Sequence, residues 1–166
     1  MTIVHRVHNF YQFDLTLATS LADARGRVFV MTFGSEDPET GESWCPDSRA
    51  GMPLIRKAIE KVSNATLLEC PTGDKTEWKD PNNPYRHHKL LKASRIPTIY
   101  EISHDGKRVL QQLVEKEVTE DNLNKFIENN GDSVGVWRVG VGYQGWTLAF
   151  VLTVVFAAFF FTTTRY

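Results

Sequence analysis

The stretch Gly41–Pro53, GESWCPDSRAGMP, decides how the rest of the chain is read. It carries Trp44, Cys45 and Pro46 in succession and a serine, Ser48, three residues after the cysteine. Proline is tolerated at the first position of a helix, where its missing N–H would have no partner anyway. Pro46 therefore predicts a helix start, with Cys45 at the N-terminus. Met52, Ile55, Ala58, Ile59 and Val62 recur at helical spacing and extend that helix to about residue 62. Pro53 inside it predicts a kink. A cysteine in this position lies among unpaired backbone N–H groups at the positive end of the helix dipole, which favours thiolate over thiol. Asp47 opposes that effect, because a nearby carboxylate disfavours a second negative charge. Ser48, one turn on, is placed to direct its hydroxyl toward the sulfur, and Trp44 offers an apolar wall to a partner peptide. A cysteine followed by a serine three residues later is a weak pattern by itself and reads as readily as a buried, inert thiol.

The surroundings favour a site. RVFVMTFG (27–34) is a β-branched and aromatic run of the buried-strand type, so the cysteine follows a strand and opens a helix. Upstream, TIVHRVH (2–8) predicts a short strand, and FDLTLATSLADA (13–24) a helix with Asp14 as its cap. Downstream, ATLLEC (65–70) predicts a strand and NPYRHHKLLKA (83–93) a helix, with a polar loop between them. PTIYEIS and RVLQQLV flank the turn signal HDGK and read as a hairpin. TEDNLNKFIENN predicts a helix capped by Thr119. Strand–helix alternation followed by a hairpin predicts an α/β domain, a mixed sheet with helices on both faces. Pro97 in RIPT stands at a strand start, a position open to a cis bond.

The chain has 166 residues, which suggests one domain with some length left for an appendage. Its two cysteines, Cys45 and Cys70, cannot form a secreted-type disulfide framework, so a reducing compartment is expected. No basic segment followed by an apolar run opens the chain in the manner of a signal peptide. All 20 acidic residues lie at or before Asp132, leaving the head slightly acidic, and a nucleic-acid partner has little support. From Val139 to Thr164 there is no charged residue. A helix over 143–164 would span roughly 30 Å, the thickness of the hydrocarbon layer. Trp137, Tyr143, Trp146 and Tyr166 lie near its ends as interfacial aromatics do. The expectation is an α/β head over 1–130, a Gly-rich linker over 131–142 and one C-terminal transmembrane helix over 143–164. A tail anchor would leave the head in the cytosol; a buried core helix or strand pair, in a soluble cytoplasmic protein, is the alternative.

Trp44-Cys45-Pro46, Pro53 and Ile96-Pro97-Thr98 resemble the thioredoxin fold. FGSEDPETGESWCPDS, GDKTEWKDPNNPYR and RIPT together closely resemble the thioredoxin domain-containing protein 17 family of thioredoxin-related cytosolic oxidoreductases, over about residues 1–130. The resemblance implies a protein-disulfide reductase recycled by thioredoxin reductase. Cys45 matches the attacking cysteine, and Pro97 the cis-proline that binds substrate backbone, so Trp44, Pro46, Asp47, Ile96 and Pro97 are the expected substrate-binding residues. Two departures stand out: the family motif is W-C-P-D-C, where Ser48 replaces the resolving cysteine, and the apolar tail lies outside the family pattern.

An alcohol is not a competent attacking group at sulfur, so Ser48 cannot release a mixed disulfide by the second exchange. Cys45 could attack, but release would need an outside thiol such as glutathione. The expected partners are disulfide-bearing or glutathionylated proteins, with glutathione or the thioredoxin reductase system as reductant and a membrane contacted through the tail. The alternative is a binding module that captures client thiols without turnover. Cys70 ends an apolar strand and reads as a small core residue. His5, His8, His87, His88 and His104 show no metal-ligand spacing, and the glutaredoxin motif C-G-F-S is missing, so neither a metal nor an iron–sulfur cluster nor any other cofactor is expected.

Overall fold

Strand β2 (Val28–Phe33) is buried along its whole length, and its side chains alternate between two cores. Val28 and Val30 face one side with Phe13, Leu17, Leu68 and Tyr100. Phe29, Met31 and Phe33 face the other with Met52, Ile55, Ile59, Leu67 and Phe126. Period-two alternation in a strand apolar on both faces demands cover on both sides. The computed structural model, which describes residues 1–129, supplies that cover.

Around β2 lie β1 (Ile3–Arg6), β3 (Thr66–Pro71), β4 (Thr98–Ile102) and β5 (Val109–Val114), in the order β1-β3-β2-β4-β5. β3 runs parallel to both β1 and β2, whereas β4 is antiparallel to β2 and β5. The sheet is therefore mixed. Helix α1 (Phe13–Asp23) contributes Phe13 and Leu17 to the first core. Helix α2 (Pro46–Glu60) packs Met52, Ile55, Ala58 and Ile59 into the second. Two short helices, α3 (Lys75–Lys79) and α4 (Pro84–His87), follow β3. Helix α5 (Glu120–Glu128) closes the second core through Leu123 and Phe126. Thr119 caps α5 as the sequence predicts, accepting the Asn122 N–H.

Burial of charge is confined to paired groups. Glu101, 2% exposed, takes two bonds of 2.7 Å from Arg27, whose guanidinium also donates to the carbonyls of Phe126, Ile127 and Asn129. Arg27 thus neutralises a buried carboxylate and caps the negative end of α5. Glu69 is held by Arg6 and Arg56, and Arg6 reaches on to Glu36.

Three local expectations are corrected. Asp14 does not cap α1: Gln12 holds that position after a 3-10 turn over Phe10–Gln12, and the Asp14 carboxylate instead meets His88 Nε2 at 3.1 Å. The helix predicted over 83–93 is the single turn α4. His88 leaves helical geometry at ψ 125°, and its buried ring accepts the Leu90 and Leu91 N–H groups that a continuing helix would need. The polar loop before it contains α3, started by a capping box between Asp74 and Glu77. The expected linker over 131–142 and membrane helix over 143–164 lie outside the described residues. Among the described residues no helix is long and apolar enough to cross a membrane.

Candidate active site

Cys45 is the N-cap residue of α2, in extended conformation, with Pro46 as the first helical residue. Strand β2 runs into Gly34, whose backbone the next turn folds over. A methyl group on Gly34 would come within 2.8 Å of the Trp44 ring and 3.0 Å of Cys45 Cβ, so only glycine admits this approach. The hydroxyl of Ser43 donates to the Gly34 carbonyl at 2.6 Å and accepts the Cys45 N–H at 3.2 Å. One buried serine thus ties the cysteine to the end of β2.

The Cys45 side of the turn faces the Ile96–Pro97 bond, which is cis. Cys45 Sγ lies 3.9 Å from the Ile96 carbonyl oxygen, and the residue is 7% exposed. Pro97 packs on α2 at Gly51, where a methyl group would meet Pro97 Cγ at 2.8 Å and Val118 at 3.2 Å. The Pro97 carbonyl accepts the Glu115 N–H at 2.6 Å, fixing the segment from its other side. Two elements distant in sequence are therefore held together at the sulfur: the start of α2 and the start of β4.

The structure brings together most of the residues predicted for the site. Trp44 is half-buried, and its indole N–H donates to the Gly73 carbonyl at 2.9 Å. Pro46 and Asp47 are exposed on the first turn of α2, and Ile96 and Pro97 are buried beside Cys45. Ser48 behaves differently from the expectation. It is fully buried, and its Oγ accepts the Gly34 N–H at 3.2 Å, so its recorded bond is to the backbone and not to the sulfur. Pro53 lies within α2, as predicted. Cys70 is fully buried in the first core and unbridged, and burial pushes its thiol well above the ordinary range, as suits a core residue. Among the described residues no group of three or more His, Cys, Asp or Glu side chains could hold a metal ion.

Sequence reasoning missed the support behind Trp44. Its acceptor, Gly73, opens the segment GDKTEWKDPNNPYR, which folds into a platform. Trp78 is buried, and the Arg86 guanidinium lies 4.0 Å over its ring while donating to the Trp78 carbonyl. Asn83, 5% exposed, donates to the carbonyls of Thr72 and Glu77 and accepts the Tyr85 N–H. The spacing Asp74-x-x-Glu77 was the readable signal for α3. Ser43, Gly34 and Gly51 carried no signal, since their roles depend on contacts that only the folded chain makes.

With this geometry in place, comparison with known proteins is informative. Residues 6–129 match the family model described as thioredoxin domain-containing protein 17-like, thioredoxin domain. The chain belongs to this family. Thioredoxin domain-containing protein 17 of Mus musculus is 37% identical over 101 residues, covering 60% of this chain and 76% of the relative. The Danio rerio protein of the same name is 30% identical over 122 residues, 73% of this chain and 90% of the relative. Thioredoxin-like protein Clot of Arabidopsis thaliana is 31% identical over 106 residues, 59% and 78% of the two chains. Among solved structures, thioredoxin NaTrxh from Nicotiana alata superposes with a TM-score of 0.52 at 16% identity, covering 76% of this chain and 91% of its own. The mixed five-stranded sheet with helices on both faces is thus a thioredoxin-like α/β fold, and the thioredoxin domain-containing protein 17-like assignment places Cys45 in a family built on that fold.

Proposed function

We propose that this protein is a monothiol thiol–disulfide oxidoreductase. The observation that carries the reading is Cys45 at the N-terminus of α2, against the cis Ile96–Pro97 bond, with the hydroxyl residue Ser48 buried three positions on. The Cys45 thiolate attacks a disulfide or glutathionylated client; one client sulfur leaves with the electron pair and the other stays bonded to Cys45. At the N-cap of α2 the attacking sulfur sits at the positive end of the helix dipole. Trp44, Pro46, Asp47, Ile96 and Pro97 form the surface on which the client lies. Ser48 cannot attack the mixed disulfide, so a second thiol from solution, such as glutathione, releases the client. Direct recycling by thioredoxin reductase has no internal disulfide to act on. The apolar run over 143–164 would hold the head at the cytosolic face of a membrane.

A second reading is favoured by the small exposure of Cys45, 7%. In that case the Cys45 thiolate attacks a client disulfide once, one client sulfur leaves as thiolate, and the resulting mixed disulfide is held without turnover. Turnover of a glutathionylated peptide under excess glutathione supports the oxidoreductase; one covalent adduct per chain, with no further reaction, supports the binding module. Cys45→Ser should abolish both, and exchange at the native rate in that variant would remove Cys45 from the mechanism.

A further inference from the structure

Arg49 follows Cys45 by four residues, which on a helix puts the two on one side one turn apart, while Asp47 is rotated away. The structure fixes where the Arg49 side chain goes. Its Nη1 donates to the Ser43 carbonyl at 3.2 Å, and its backbone N–H donates to the Cys45 carbonyl at 3.0 Å. Ser43 also accepts the Cys45 N–H, so the guanidinium is tied to the same short segment that holds the thiol. Arg49 is exposed. Unlike Arg6, Arg27, Arg56 and Arg95, it belongs to no ion pair among the described residues. Arg95, the cation next to Ile96, is committed to Glu115 at 2.7 Å. A guanidinium presents five N–H donors in a rigid fork suited to carboxylates. One anchored on Ser43 keeps others free, so the site holds a cation that is positioned by the protein and not neutralised by it.

Resting on the monothiol reading above, the geometry points to Arg49 as the residue that selects the releasing thiol: a low-mass thiol bearing carboxylates, of the glutathione type, over neutral ones. In the release step the incoming thiolate attacks the client sulfur of the Cys45–client disulfide. A disulfide forms between the incoming thiol and the client, and the Cys45–client bond breaks with its electron pair on Cys45. Cys45 leaves as thiolate or takes a proton from water. Arg49 binds the carboxylate of the incoming thiol during this exchange, a charge-assisted contact at the rim of the site.

The test uses the full-length chain in mild detergent, loaded at Cys45 as the mixed disulfide with N-acetylcysteine amide, an uncharged client mimic. Release by glutathione, glutathione dimethyl ester and 2-mercaptoethanol is followed by intact mass after acid quench, with rates normalised to thiolate concentration. Glutathione should be about fivefold faster than its ester, the size of one partly exposed charge contact. That advantage should collapse at about 0.5 M salt, where exposed charges are screened. Arg49→Gln should remove it, Arg49→Lys should keep part of it, and the 2-mercaptoethanol rate should stay within about twofold throughout. Equal rates for glutathione and its ester in the native chain would overturn the inference. So would an Arg49→Gln variant slowed equally toward every thiol, because that marks a structural effect. If no thiol releases Cys45, the monothiol turnover reading fails and the role of Arg49 falls with it; release without preference removes the role of Arg49 alone.

Discussion

Ser48→Cys places a sulfur three residues after Cys45, where the resemblance to the family implies a second cysteine, and the structure sets what it should cost. The Ser48 side chain is fully buried, and its Oγ accepts the Gly34 N–H at 3.2 Å. Sulfur is larger and a poorer acceptor. Losing that bond costs about 1 kcal/mol, and crowding in a closed site adds up to about 1 kcal/mol. Together they lower the melting temperature of the reduced protein by about 4–8 °C. In exchange, release becomes intramolecular. Residues three apart at a helix start have Cβ atoms about 5–6 Å apart, within reach of a disulfide after a small adjustment. Even a short flexible link gives an effective concentration in the millimolar range, and an oriented one far more. The variant should therefore clear a Cys45 mixed disulfide without added thiol and become a substrate for thioredoxin reductase, while the native chain keeps its adduct until glutathione is supplied. Intact mass after acid quench, with peptide mapping of the 45–48 disulfide, reads both outcomes. A Ser48→Cys protein that retains its adduct as long as the native chain would refute the assignment of this position to release. A native chain that clears its adduct unaided would refute the argument from the alcohol.

Two further outcomes follow from groups away from the site. Arg27→Met leaves the buried Glu101 charge without its cation, with the Gln111 amide still donating to it, and removes the guanidinium bonds to the C-terminal carbonyls of α5, which should cost about 3–5 kcal/mol in urea unfolding; adding Glu101→Leu should recover part of the loss, since no unpaired charge then remains. Cys70 has its thiol held above the ordinary value of 9.0 by burial, so the unfolded chain loses that proton first. Its contribution to stability is intact below about pH 9 and erodes as pH rises past it; Cys70→Ala, though less stable at neutral pH, should show a shallower fall in urea midpoint between pH 8 and pH 10.

The parts legible in the sequence were those decided locally. The continuous apolar run Val28–Phe33 announces a strand covered on both sides, and Pro46 with Met52, Ile55 and Ile59 announces α2 and its inner face. The hairpin follows from HDGK, and the site from Cys45 at the strand-to-helix turn with a distant Pro97. What was illegible depends on side chains that reach across the fold to backbone groups. His88 ends α4 by turning its ring onto the Leu90 and Leu91 N–H groups, which no propensity of the run 83–93 reveals. Asp14, a reasonable cap by type, is drawn to that same histidine. Gly34 and Gly51 look like ordinary helix and strand weaknesses until Trp44 and Pro97 are seen lying against them.

The packing of Ser48 bears on how the chain uses this position. A serine left in a cavity shaped for a thiol, without a partner, would cost about 1–3 kcal/mol. Among the described residues the buried side-chain oxygens without a hydrogen bond are those of Thr32 and Tyr85, and Ser48 is not one of them. Its oxygen is used to fix Gly34, the residue over which Trp44 and Cys45 fold. The contacts that hold Cys45 toward a client run through Ser43, Gly51 and Pro97, and that hold Trp44 through Gly73; none of them requires a sulfur at position 48. On the proposed reading, capture would rest on these contacts and release on a thiol from solution. A hydroxyl that satisfies the Gly34 N–H fills this position without an orphaned polar group, which supports the proposal of a thiol site kept in working geometry and freed by outside thiols.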